Sequence, residues 1–148
     1  MQEKLRDAAS LTLTIAVVAL LAVVLGFGQW VVRASRHSDG ARLVDAAQSV
    51  LDFHRAIDGG AYEAAYSRLS PTWREALPRG EFESGFRNLN HLETEVVGVR
   101  AVGPGQARVE VTLTATQPGG ASAHLAGYYV VVFDGQTWRM DASHLQRV

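Results

Sequence analysis

A run of twenty-two residues without a single charge, LTLTIAVVALLAVVLGFGQWVV, occupies Leu11 to Val32, and no other stretch constrains the chain so strongly. At about 1.5 Å per residue, a helix of this length spans roughly 33 Å, enough for a hydrocarbon core of about 30 Å. A helix satisfies its own backbone hydrogen bonds, so it is the one simple element that can cross lipid. Residues 11–32 are therefore expected to form a transmembrane helix behind a ten-residue flank, 1–10. Ser10 suits its N-cap. At the other end Trp30 suits the headgroup level, with Arg33 and Arg36 free to snorkel there. A cleavable signal sequence is the rival reading, but its apolar region runs about 7–15 residues, shorter than this one.

Within the span, Ala16, Ala19, Ala22 and Gly26 recur every three or four residues. Small residues on one flank let a second helix approach closely, which predicts packing against other membrane subunits. The span holds no ionisable side chain, so it is expected to anchor or dock rather than to relay protons. Lys4 and Arg6 precede it, and Arg33, Arg36 and Arg42 follow. That count leans toward a cytoplasmic domain. Single N-terminal anchors nevertheless tend to leave their N-terminus inside. The expectation is a single-pass protein of a bacterial inner membrane with a periplasmic domain.

Beyond a polar linker, 33–40, the residues 41–148 carry ten arginines against twelve carboxylates. A phosphate-binding surface needs the opposite balance, so nucleic acid is not an expected partner. The chain has no cysteine, which excludes disulfides, thiolate nucleophiles and cysteine-held zinc. Lys4 is the only lysine among thirteen arginines, a bias typical of GC-rich bacterial genomes.

The period of the apolar residues gives the order of elements. ARLVDAAQSVLDFHRAIDGG places Leu43, Ala47, Val50, Leu51, His54 and Ile57 at helical spacing and stops at Gly59-Gly60. AYEAAYSRLS is a second, short helix. SPTWREAL restarts with Ser70 as N-cap and Pro71 in the first turn. RGEFESGFRNL turns Phe82, Phe86 and Leu89 inward. After His91 the period becomes two. TEVVGVRAV, ARVEVTLTAT and AHLAGYYVVVF read as strands, with TWRMD pairing back across DGQ. ARVEVTLTAT alternates cleanly, as a strand with one wet face does. Helices first and a four-stranded antiparallel meander second make an α+β domain with its helices on one face of the sheet.

FHRAIDGGAYEAAYSRLSP and the closing hairpin GYYVVVFDGQTWRMD resemble the nuclear transport factor two-like superfamily, whose α+β fold is cone-shaped. The likeness runs from Ala41 to Asp141 and rests on a helix ending in a Gly-containing turn, a short aromatic helix, and Asp-Gly before Trp in the last hairpin. The resemblance implies a fold that hosts isomerases, dehydratases, small-ligand binders and interaction modules, so it does not fix a function. It also implies a cone interior, for which His54, Tyr66, Leu69 and Phe86 are the candidate lining residues.

None of these residues forms a catalytic or metal signature by itself. His54 sits among apolar neighbours, where a hydrogen-bonded core-edge histidine is the simpler expectation. Tyr128 and Tyr129 are adjacent on a strand, so at most one faces the cone. Arg139 and Asp141 lie two apart, which reads as a surface pair. His91, His124 and His144 fall on a loop, a strand start and a tail, with no metal-ligand spacing. No glycine pattern matches a nucleotide-binding loop, so no cofactor is expected. The leading expectation is a non-enzymatic accessory subunit of a larger membrane complex. The alternatives are a membrane-tethered binder of a small apolar ligand and, third, an isomerase or dehydratase. The binder requires an open cavity not plugged by Trp73 or Trp138. The enzyme requires a buried carboxylate or histidine within hydrogen-bond reach of a tyrosine inside it.

Overall fold

The structure, a computed structural model, describes residues 39–148. The expected membrane span, with Ala16, Ala19, Ala22, Gly26 and Trp30, and the flanking Arg33 and Arg36 lie outside the described residues. Among the described residues no helix is long and apolar enough to cross a membrane.

Four helices precede four strands: α1 (Asp39–Asp58), α2 (Tyr62–Ser67), α3 (Pro71–Ala76), α4 (Arg79–Gly85), then β1 (His91–Gly103), β2 (Gln106–Thr116), β3 (Ser122–Phe133) and β4 (Trp138–Arg147). The sheet is an antiparallel meander in the order β1-β2-β3-β4. The domain is thus α+β, with helices against one face of a four-stranded sheet.

The core follows from two periods meeting. On α1, Ala46, Val50, Phe53 and Ile57 make one buried stripe at helical spacing. On β2, Ala107, Val109, Val111 and Leu113 are buried while Arg108, Glu110, Thr112 and Thr114 face the other way. Val131 and Met140 extend the same layer across β3 and β4. Each fully buried Val or Ile stabilises the fold by about 1.5–3 kcal/mol, so this shared layer holds α1 on the sheet.

The helix ends are set by their own chemistry. Gly60, at φ 71°, lets α1 close as a Schellman turn, with Ala61 N–H donating to Ala56 O (2.8 Å) and Gly60 N–H to Ile57 O (3.0 Å). Ser70 Oγ accepts from Trp73 N–H (3.0 Å) at the start of α3, with Pro71 in its first turn, as expected. The neighbouring backbone locks this corner to β4: Ser70 N–H donates to Met140 O (2.7 Å) and Met140 N–H to Arg68 O (2.9 Å).

Three boundaries differ from the sequence expectation. The first helix starts at Asp39, inside the stretch read as a linker. β1 begins at His91, which pairs with Thr116, rather than after a loop. β4 continues to Arg147 rather than ending near Asp141, because β3 offers it backbone partners from Leu125 to Val130. The Arg139–Asp141 pair does not form. A bulge between Met140 and Ala142 breaks the alternation at Asp141. Arg139 donates instead to Asp134 Oδ2 (2.9 Å) and Ser67 O (2.6 Å).

Candidate functional site

The chain leaves a cavity of about 480 Å³ between the helices and the sheet, at the end where β1 and β3 begin and β2 and β4 finish. α1 contributes Phe53, His54 and Ile57. The α3–α4 corner contributes Trp73, Leu77, Phe82 and Phe86. The sheet contributes Leu92, Leu113, Leu125, Tyr129 and Leu145. The volume falls inside the range of about 300–1,000 Å³ usual for ligand pockets. Polar lining groups are few. Glu81, Asn88, Gln117 and Ser143 are exposed, whereas His54 and Tyr129 are buried.

The register of β3 explains how Tyr129 comes to face inward. Tyr129 and Val131 point to the helices, so Tyr128 points to the opposite face. There it stacks on His144 (ring centroids 4.6 Å apart), with the Arg108 guanidinium 3.5 Å above it. Tyr129 meets His54 from α1, with its hydroxyl 2.8 Å from His54 Nε2. Their rings sit nearly edge-on, and Phe53 packs against both. Trp73 lies against Tyr129 on the other side, with ring centroids 6.5 Å apart.

The pair is electrically quiet near neutral pH. Burial makes the charged imidazolium unfavourable and pulls His54 down to about 4. The same loss of water pushes the Tyr129 phenol above its ordinary value. Both groups are therefore neutral at pH 7, and among the described residues no carboxylate is hydrogen-bonded to either. His54 Nδ1 is buried and has no hydrogen-bond partner among the described residues.

Of the four residues read as cone lining, His54 and Phe86 line the cavity, and Tyr66 and Leu69 do not. Leu69 is fully buried beside Met140, in the corner that joins the helices to β4. Tyr66 turns its hydroxyl to the carbonyls of Arg74 (3.2 Å) and Leu77 (3.0 Å), tying α2 to α3 behind the cavity wall. Trp73 forms wall rather than plug. Trp138 is buried at the opposite end of the sheet against Phe133. Tyr129 is the residue that the sequence narrowed to one of two. Leu113 and Leu125 carried only a strand period, which marks a buried face without distinguishing packed core from cavity wall, and Leu145 lay in the stretch read as a tail.

The remaining histidines stay apart. His91 Nδ1 lies 2.9 Å from Asp58 Oδ1, which also accepts from Leu92 N–H (2.7 Å), so this cluster clamps the end of α1 to β1. Among the described residues no three His, Asp or Glu side chains are grouped to hold a metal ion.

No family model and no curated protein sequence matches the chain. Solved structures do match. A candidate scytalone dehydratase from Novosphingobium aromaticivorans superposes with TM-score 0.60 at 12% identity, covering 77% of this chain and 89% of that one. A candidate dehydratase of the nuclear transport factor two-like family from Streptomyces avermitilis gives 0.59 at 15%, covering 74% and 98%. A protein with a cystatin-like fold from Caulobacter vibrioides gives 0.56 at 21%, covering 72% and 89%. At these identities the likeness is one of fold. The described domain has the nuclear transport factor two-like, cystatin-like architecture, as the sequence resemblance implied.

Proposed function

We propose that this protein binds a small, predominantly apolar molecule in the cavity of its cone-shaped domain, and that residues 11–32 hold the domain at a membrane. The observation that carries the binding reading is the open cavity of about 480 Å³, lined mostly by apolar side chains, with His54 and Tyr129 as its buried polar pair. An apolar pocket with a few convergent polar groups is the usual form of a small-ligand site. The membrane reading rests on sequence: the uncharged length of Leu11–Val32, with Trp30 and Arg33 at its end.

A second reading is an isomerase or dehydratase of the same fold. It is favoured by the one contact it required, a buried histidine within hydrogen-bond reach of a tyrosine in the cavity. Two of the similar structures are named as candidate dehydratases. Against it stands the charge state of the pair. A general base works best with a pKa near the operating pH, and His54 is held near 4. Hydrogen-bonded recognition asks nothing of that pKa, so binding is the better use of the pair. The accessory-subunit reading draws on the small flank Ala16, Ala19, Ala22 and Gly26 and would add a membrane partner to either role.

Gentle extraction of the full chain from its native membrane, followed by native mass spectrometry, tests these readings together. A one-to-one adduct of a small molecule is expected. A stoichiometric membrane subunit with an empty cavity would favour the accessory role, and chemical conversion of the released molecule by the chain would favour the enzyme.

A further inference from the structure

The cavity opens at one end of the domain, and the chain enters the domain at the other. α1 runs the length between them. Its first turns lie beside the β1–β2 hairpin, where Arg42 and Leu43 share a small cleft with Ala101, Pro104 and Phe133. Its last residue, Asp58, accepts from Leu92 N–H at the cavity end. Twenty residues of helix put about 30 Å between the two ends.

The hairpin end has the composition of a surface that meets lipid. Between Arg100 and Arg108, which pair across the ladder, the chain reads AVGPGQA and carries no charge. Ala101, Val102 and Pro104 are exposed at its tip, Val102 by 48%, and Val44 stands out from the second turn of α1 by 66%. The tip is fixed to β3, because Phe133 N–H donates to Gly105 O (2.8 Å). Charge around it is net positive. Asp134 is held by Arg139 (2.9 Å) and Glu110 by Arg108 (3.4 Å), which leaves Asp39 and Asp45 against Arg33, Arg36, Arg42 and Arg100. Apolar side chains bracketed by arginines suit the boundary between headgroups and acyl chains, where the apolar groups bury and the guanidinium groups meet lipid phosphate. The length of chain before the domain gives the same neighbour. Six residues, 33–38, separate the uncharged run from α1, about 20 Å of extended chain at most.

We propose that this end of the domain, the β1–β2 hairpin tip with the first turns of α1, rests on the bilayer and binds anionic lipid headgroups through Arg42 and Arg100. The cavity then opens into water, a helix length of about 30 Å from the lipid, and its ligand enters from the aqueous phase rather than from the acyl chains. This rests on the membrane reading of residues 11–32 above.

The chain has no cysteine, so single spin labels can be placed on it without removing any native residue of that type. Val24→Cys in the uncharged run, Val102→Cys at the hairpin tip and Gln117→Cys at the cavity rim are each labelled with a nitroxide, in the full chain reconstituted in lipid nanodiscs of phosphatidylglycerol and phosphatidylcholine. Power saturation compares relaxation by oxygen, which concentrates in lipid, with relaxation by a nickel chelate, which stays in water. The labels at positions 24 and 102 are expected to respond more to oxygen, and the label at 117 more to nickel. Arg42→Gln combined with Arg100→Gln, or nanodiscs of phosphatidylcholine alone, are expected to turn the label at 102 over to nickel while the circular dichroism spectrum stays unchanged. A label at 102 that responds to nickel in the native background overturns the inference. So does one shielded from both reagents, as a second copy or another protein would shield it. A label at 102 that stays in lipid without the arginines overturns the headgroup contact. In each of these cases an oxygen response at position 24 leaves the membrane reading standing. A nickel response at position 24 removes that reading, and the inference with it.

Discussion

His54 shows how burial turns a titratable side chain into a fixed hydrogen-bonding group. Its imidazole is held at about 4 against an ordinary 6.5 by loss of water. Between those two values the unfolded chain binds the proton and the folded chain does not. Stability contributed by the neutral side chain is therefore present above about pH 6.5 and is lost as the pH falls toward 4. Urea melts of the native chain and of His54→Gln, compared from pH 7 down to 4, should show the native chain losing up to about 3 kcal/mol relative to the variant. A constant difference across that range would mean that His54 is not desolvated as described. The sequence flagged this residue only by its place on the apolar side of a helix. Its partner stands 75 positions away, and no local pattern reports which strand residue a helix will cover. Adjacency of Tyr128 and Tyr129 limited the choice to one of the two, and the register of β3 made it Tyr129.

At the scale of elements, the α3 cap ties a local signal to the cavity. Ser70 Oγ holds Trp73 N–H, and Trp73 is cavity wall. Ser70→Ala should lower stability by about 1 kcal/mol in denaturant melts and weaken ligand binding as the wall loosens. Unchanged binding would show that the cap stabilises α3 without positioning its tryptophan. A second prediction concerns the close approach of β3 and β4. A Cβ at Gly127 would collide with the carbonyl oxygen of His144, a backbone atom that cannot swing away. Gly127→Ala should cost about 1–3 kcal/mol or more, read as a lower melting midpoint. A midpoint equal to that of the native chain would place the two strands farther apart than described. Ser70-Pro71 and the strict alternation of β2 were legible because both signals are local. The extension of β4 through Ala142–Arg147 was not, because SHLQR carries little strand preference of its own and is held by pairing with β3. Tyr66 on α2 and Leu69 just beyond it both turn inward, but inward is not the same as cavity-facing. The carbonyls of Arg74 and Leu77 claim the tyrosine, and Met140 claims the leucine.

For the whole molecule, the uncharged run Leu11–Val32 and the cavity make separate demands. If the run spans lipid, the full chain will stay with membranes through an alkaline carbonate wash and leave them only in detergent. Recovery in the aqueous fraction would contradict the tether and leave the cavity untouched. The fold class was legible because a change of period at His91 divides helices from strands. The cavity was not, because an apolar side chain against empty space and one against a neighbour have the same pattern. The most direct measurement therefore fills that space. Ala115 lines the cavity on β2, and Ala115→Trp puts an indole where a ligand would sit. The full chain and this variant, both in nanodiscs, are titrated calorimetrically with 1-tetralone. Saturable one-to-one binding by the native chain, lost in a variant with an unchanged circular dichroism spectrum, is the predicted result. Equal binding by both, or none by the native chain, would contradict a ligand site between α1 and the sheet.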